Sequence, residues 1–107
     1  MIRYIAMRSS DPSLLIMASL AEGPKHGYAM TRDVKEMAGV KLGPGTLYGA
    51  IARLEERGLI EPLETEDRRR PYRLTGSGAA VLREQLTTLE RVARLGLGRL
   101  SAAEARA

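Results

Sequence analysis

The stretch KLGPGTLYGAIARLEERGLI, residues 41–60 of a chain of 107 residues, decides the fold that we expect. Pro44 suits the first position of a helix, where the backbone N–H has no intrahelical partner to lose. The apolar residues that follow recur at the spacing of one buried helical face: Leu47, Ile51 and Leu54. Gly58 then supplies a stop. The pattern predicts a helix over residues 44–57.

The Gly-Pro-Gly step before this helix raises the question of a bound phosphate. A nucleotide P-loop needs a preceding buried strand and a Lys followed by Ser or Thr, and neither is present around Gly45. The free N–H groups of a helix start can instead meet a phosphate of a DNA backbone. The face away from the apolar residues carries small, hydroxyl-bearing and basic residues that suit a major groove, namely Gly45, Thr46, Tyr48, Gly49, Ala52 and Arg53. We predict a recognition helix; an ordinary solvated helix face is the alternative.

Two helices precede it. Asp11 is an N-cap residue and Pro12 takes the first helical position, which predicts a helix over residues 12–21. A second set of apolar residues at helical spacing predicts a helix over residues 26–38, ended by Gly39.

Beyond the recognition helix the sequence changes to the pattern of a hairpin. Two short strands are predicted over residues 59–64 and 71–74, around a charged turn. Pro62 and Pro71 lack an N–H, so the strands should be short or lie at an edge. The turn carries three consecutive arginines, as in a DNA-binding wing that reaches phosphates or a narrow minor groove: Arg68, Arg69 and Arg70. A solvated charged loop is the alternative.

A last helix begins after Thr75, a good N-cap residue. Its apolar and small residues keep a heptad-like spacing: Leu82, Leu86, Leu89, Ala93, Gly96 and Leu100. Such a face packs either on its own domain or in a symmetric dimer, which would match two-fold-related half-sites in DNA. Gly96 and Gly98 each cost about 1 kcal/mol relative to Ala in a helix, so we expect the helix to end or fray near Leu95.

The order helix, helix, helix, hairpin, helix predicts a mainly α fold, a winged helix-turn-helix with one extra helix. We divide the chain into an N-terminal arm (1–11), a DNA-binding domain (12–75) and a C-terminal dimerisation helix with its tail (76–107). The net charge of +4 favours a polyanionic partner. The absence of Cys excludes a disulfide framework and a Cys-based zinc site. A catalytic His could only be His26, around which no motif is found. We expect no membrane span and a cytoplasmic protein.

Three stretches resemble the PadR family of bacterial transcriptional regulators: LLIMASLAEGPKHGYAM, LGPGTLYGAIARLEERGLIE and RRRPYRLTGSGAAVL, within roughly residues 14–89. The resemblance implies a winged helix-turn-helix of the short subgroup that dimerises through its C-terminal helix and binds operator DNA. The chain departs from the family at Gly43, where Ser is frequent, and at Gly76 and Ser77, where acidic residues are common. Some short members hold flat drugs between aromatic side chains. This chain has no Trp, no Phe and no Tyr after Tyr72, so we do not expect that ligand pocket here.

We therefore expect a homodimeric transcriptional regulator, a repressor, that binds double-stranded DNA and has no catalytic activity, metal or cofactor. The expected DNA contacts are His26, Lys41, Gly45, Thr46, Tyr48, Gly49, Arg53, Arg68, Arg69, Arg70 and Tyr72. The expected dimer seam consists of Leu82, Leu86, Leu89 and Ala93. The operator and any small-molecule inducer stay open. The alternative function is a winged-helix module for protein-protein contact, with the basic wing meeting an acidic partner.

Overall fold

The computed structural model describes residues 11–66 and 68–107. The predicted N-terminal arm lies outside the described residues, apart from Asp11. The elements follow the predicted order: α1 (Pro12–Leu20), α2 (Gly27–Ala38), α3 (Pro44–Glu56), β1 (Ile60–Pro62), β2 (Tyr72–Leu74) and α4 (Gly76–Arg106). The predicted mainly α fold with a two-stranded hairpin is confirmed.

Local capping explains where the helices begin. Asp11, His26 and Thr75 each accept a hydrogen bond from a backbone N–H in the first turn of α1, α2 and α4. Helix α3 begins after Gly43 without a side-chain cap, and its Pro44 occupies the first position as predicted. The observed bounds of these three early helices differ from the predicted ones by at most one residue.

The core is built around α1, which packs against α2, α3, β2 and α4. Most of α1 is buried, including the polar Ser19. The other helices each present one apolar face to it, and the predicted face of α3 lies in this core. The buried hydrophobic residues are Leu14, Leu15, Ile16, Met17, Leu20, Met30, Val34, Leu42, Leu47, Ala50, Ile51, Leu54, Ile60 and Leu82.

The hairpin is antiparallel and short. Its register pairs Ile60 with Leu74, Glu61 with Arg73, and Pro62 with Tyr72. The observed strands are shorter than the predicted 59–64 and 71–74, because Pro62 and Pro71 cannot donate to a ladder. Strand β2 also pairs on its other side with Lys25, just before α2, in an isolated antiparallel bridge. Strand β1 is therefore the outer strand, the place where a proline is tolerated.

Helix α4 is a single helix of 31 residues that continues through Gly96 and Gly98 to Arg106. The prediction that it ends or frays near Leu95 was wrong. Each glycine is surrounded by Leu, Arg and Ala residues that favour helix, and an established helix gains one hydrogen bond per added residue. The local penalty of about 1 kcal/mol per glycine is too small to stop it.

The start of α4 is held by a close approach to β1. A Cβ on Gly78 would overlap the carbonyl oxygen of Leu59 and would lie 2.8 Å from Cδ1 of Leu74. The hydroxyl of Thr75 also donates to the carbonyl of Gly58 at 2.7 Å. These contacts give the Leu-Thr-x-x-Gly spacing of residues 74–78 a physical role: it lets α4 leave the sheet against the α3–β1 connection.

Candidate nucleic-acid interface

Six of the predicted contact residues, from three separate parts of the chain, meet around one cleft of about 270 Å³. The start of α2, the first half of α3 and the wing each contribute to it. Its lining is His26, Gly27, Tyr28, Tyr48, Arg68, Arg69, Arg70 and Tyr72. The cleft therefore combines phenol, imidazole and guanidinium groups, all of which can donate hydrogen bonds to phosphate.

A partly buried polar network joins the connection before α2 to α1 and α2. The Lys25 ammonium donates to the Ser19 carbonyl at 2.6 Å and pairs with Glu22 at 2.7 Å. The Ser19 hydroxyl donates to the Asp33 carboxylate at 2.6 Å, which lies 3.8 Å from the same ammonium. Because the Lys25 side chain is only 13% exposed and its charge is compensated, its role is to support the fold.

The outward face of α3 is largely open, as predicted. Gly45, Thr46 and Arg53 are exposed, and Tyr48 is 56% exposed. An Nη atom of Arg53 lies 3.5 Å from the point that a Cβ on Gly49 would occupy. The guanidinium thus points back along the helix toward its N-terminus, the direction that helical side chains favour. The Arg53 guanidinium therefore lies beside Gly49, one turn closer to the N-terminus of α3 than its own Cα.

Five predicted contacts lie outside the cleft. They occupy α3 and the connection that precedes it: Lys41, Gly45, Thr46, Gly49 and Arg53. Lys41 is exposed beside the buried Leu42. The structure thus places the predicted DNA contacts in two groups, one along α3 and one between α3, α2 and the wing.

Tyr72 is protonated at neutral pH, as a tyrosine phenol ordinarily is, and its place in the cleft raises its pKa further. Burial of its side chain raises the pKa of the Tyr72 phenol, with smaller upward contributions from the Glu55 carboxylate and from Tyr48, while Arg70 opposes them. The phenol therefore remains a hydrogen-bond donor at neutral pH. On the outer side of the wing, Arg73 pairs with Glu61 across the two strands, which takes this arginine away from the cleft.

Gly27 and Tyr28 are lining residues that the sequence reasoning missed. Tyr28 is 64% exposed, and the Arg32 guanidinium carbon lies 6.0 Å from the centre of its ring. The available signal was a large aromatic residue directly before two apolar positions of α2, at the polar side of that helix. From the sequence alone, Tyr28 resembled a further core residue of α2.

The residues of the predicted dimer seam differ in how deeply they are buried in a single chain. Leu82 is 5% exposed and belongs to the domain's own core, so it has little surface left for a partner. Leu82 therefore contributes to the core of its own domain, and its part in a dimer seam stays a prediction. Leu89 is partly buried against the core, while Leu86 and Ala93 are exposed. In the second half of α4, Val92, Leu95, Leu97 and Leu100 are also exposed; Leu97 and Leu100 lie on the same side as Leu86, and Leu95 lies on the opposite side.

Two features are absent from the residues that the structure describes, 11–66 and 68–107. Within them no helix has the length and apolar character needed to cross a bilayer. The same residues contain no group of three or more His, Asp or Glu side chains arranged to hold a metal ion.

Three short helices, of which the third has an exposed outer face, and an arginine-bearing hairpin define a winged helix-turn-helix domain. The sequence pattern of the "Transcriptional regulator PadR-like family" matches residues 16–84. The chain therefore belongs to the PadR-like family of transcriptional regulators.

Individual relatives agree with this assignment. A transcriptional regulator of Mycobacterium tuberculosis is 39% identical over 88 residues, which are 79% of this chain and 81% of that protein. An uncharacterised 37.1 kDa protein of a Streptomyces fradiae transposon is 43% identical over 86 residues. Those residues are 80% of this chain, but the chain spans only 25% of that protein. A crystal structure of a PadR family regulator from Eggerthella lenta matches with a TM-score of 0.69 at 30% identity, covering 92% of this chain and 88% of that one.

Proposed function

We propose that this protein binds operator DNA as a homodimer and represses transcription in the cytoplasm. The observation that supports this most directly is the cleft in which Tyr48 of α3 meets Arg68, Arg69 and Arg70 of the wing. Base-reading and phosphate-holding elements must lie on one side of a domain if they are to engage one duplex. The net charge of +4 adds a sequence-independent attraction to DNA.

In this proposal α3 enters the major groove with its N-terminal turns. Gly45 carries no side chain, so the backbone can approach the duplex closely, and Thr46 offers a hydroxyl. The wing arginines would hold the flanking phosphates or the adjacent minor groove. Tyr48, Tyr72 and His26 would contact the backbone between these two elements, and Lys41 would contact it from the connection before α3.

The dimer would form through the exposed apolar side of α4. Leu86, Leu97 and Leu100 fall on one side of this helix, and in one chain each is at least 42% exposed. Burial of such a surface against a second copy is favourable by roughly 25 cal/mol per Å² of apolar area. A two-fold axis along α4 would place two recognition helices on one face, as palindromic half-sites require.

The direct test is selection of bound sites from random duplexes, followed by fluorescence anisotropy on the selected site at several salt concentrations. We expect a palindromic consensus, and log K falling with log salt with a slope of about −0.9 per neutralised phosphate. Failure to enrich any sequence, with no binding at low salt, would contradict the proposal. It would leave the protein-protein module as the surviving function, to be sought with an acidic partner.

A further inference from the structure

The phenol of Tyr48 lies across the first residue of α2. A Cβ built on Gly27 would be 2.7 Å from the Tyr48 hydroxyl oxygen and 3.2 Å from its Cζ, and 3.3 Å from Cδ2 of Leu47. Gly27 is buried, whereas Tyr48 is 56% exposed. The hydroxyl end of the ring is therefore seated on the backbone of α2, while much of the side chain still faces the cleft.

The backbone does not require glycine at this position. Among the described residues, the glycines with positive φ are Gly23, Gly39 and Gly58, so Gly27 has a conformation open to any residue. It is also the first residue of α2, and Ala is a better helix former than Gly. The feature that excludes a side chain at Gly27 is the occupied space above it.

We propose that Gly27 is a positioning residue for Tyr48 in DNA binding. The missing side chain lets the phenol settle against α2, which places its hydroxyl over Gly27 in the lining of the cleft shared with His26, Arg70 and Tyr72. This inference rests on the proposed DNA-binding function. It assigns the specific pose of Tyr48 to a residue on another helix that need not touch the duplex.

The consequence of adding one methyl group follows from what it would meet. The closest contact, at 2.7 Å, is the hydroxyl end of the Tyr48 side chain, which is 56% exposed and can swing aside at little cost to the fold. The buried Leu47 methyl group, at 3.3 Å, has to give way only slightly. The substitution Gly27→Ala should therefore leave stability nearly unchanged and turn the phenol away from its seat. Loss of one hydrogen bond to a charged phosphate is worth about 1.5–3 kcal/mol, so affinity should fall roughly tenfold or more.

A double-mutant cycle tests the assignment on the selected operator duplex. The variants are Gly27→Ala, Tyr48→Ala and the double substitution, each measured by anisotropy together with its melting temperature. We expect Gly27→Ala to weaken binding about tenfold in the presence of Tyr48 and to change it by less than about twofold in the Tyr48→Ala background. Gly76→Ala is the matched control, because Gly76 also opens a helix and a Cβ there would meet nothing within 4 Å.

Three results would overturn the inference. The first is wild-type affinity in Gly27→Ala, and the second is an equal loss in both backgrounds, which would mean that Gly27 acts without Tyr48. The third is independent of DNA: a nuclear Overhauser contact between the Tyr48 ring protons and the Gly27 α-protons is expected in the free protein, and its absence refutes the packing. If that contact is present but the wild-type protein binds no duplex at low salt, the proposed function fails and the DNA role of Gly27 fails with it, while the packing stands.

Discussion

The backbones of Lys25 and Tyr72 hydrogen-bond to each other in both directions, with N···O distances of 3.1 and 2.9 Å. This pair attaches β2 to the turn before α2, and Tyr48 of α3 lies against the same turn at Gly27. The wing and α3 therefore both contact the short segment of residues 25–27. Their relative position, which any simultaneous contact with a duplex needs, is set by that turn.

Replacement of Arg68, Arg69 and Arg70 by Ala should weaken binding to all duplexes alike. Each lost phosphate contact should make the salt slope shallower by about 0.9, because fewer counterions are released. Arg83, Arg91 and Arg94 on the exposed polar side of α4 offer a control with the same loss of charge. The measurement is anisotropy across a salt series, and an unchanged slope in the wing variant would remove the wing from the interface.

A charge on the exposed part of α4 should disrupt the proposed dimer. Leu86→Glu should give folded monomers with weak DNA binding, because one half-site loses the contribution of the other. Leu82→Glu should instead unfold the domain, since Leu82 is 5% exposed in a single chain.

Light scattering and circular dichroism distinguish these outcomes. Ala102→Glu is the control, because Ala102 is exposed and lies on the opposite side of α4 from Leu86. A Leu86→Glu protein that stays dimeric would place the interface elsewhere.

Arg53 should read a base. Its guanidinium lies over Gly49 and points toward the N-terminal end of α3. We expect Arg53→Ala to cost about 1–3 kcal/mol on the selected site and to relax preference at one base pair, with the salt slope retained. Repeating the site selection with this variant tests it, with Arg57→Ala as control. A uniform loss with a slope shallower by about 1 would assign Arg53 to phosphate.

Gly78→Ala should destabilise the fold more than any other glycine substitution in α4. The new methyl group would overlap the Leu59 carbonyl oxygen, a backbone atom that cannot swing aside. We expect a loss of about 3 kcal/mol in the free energy of unfolding. Urea unfolding measures it, with Gly96→Ala as control in open helix, where Ala should stabilise by up to about 1 kcal/mol. Equal stability of both variants would contradict the close approach of α4 to β1.

The sequence by itself determined the elements of this protein, because their causes are local. Asp11, Pro44 and Thr75 mark helix starts through hydrogen bonds or φ angles within a few residues of themselves. Leu47, Ile51 and Leu54 identify a buried face through the helical repeat alone. The arginine-bearing turn can be predicted from its own residue composition. The family can be identified from short motifs of consecutive residues.

Only the tertiary structure decided how these elements meet. Leu82 continues the heptad spacing of Leu86, yet it is buried in its own domain because α4 starts in close contact with Leu59. Gly27 and Tyr48 are separated by a helix and a connection, and Lys25 and Tyr72 by most of the domain. No local periodicity links such residues, since their contact depends on how α1 packs the other elements around itself.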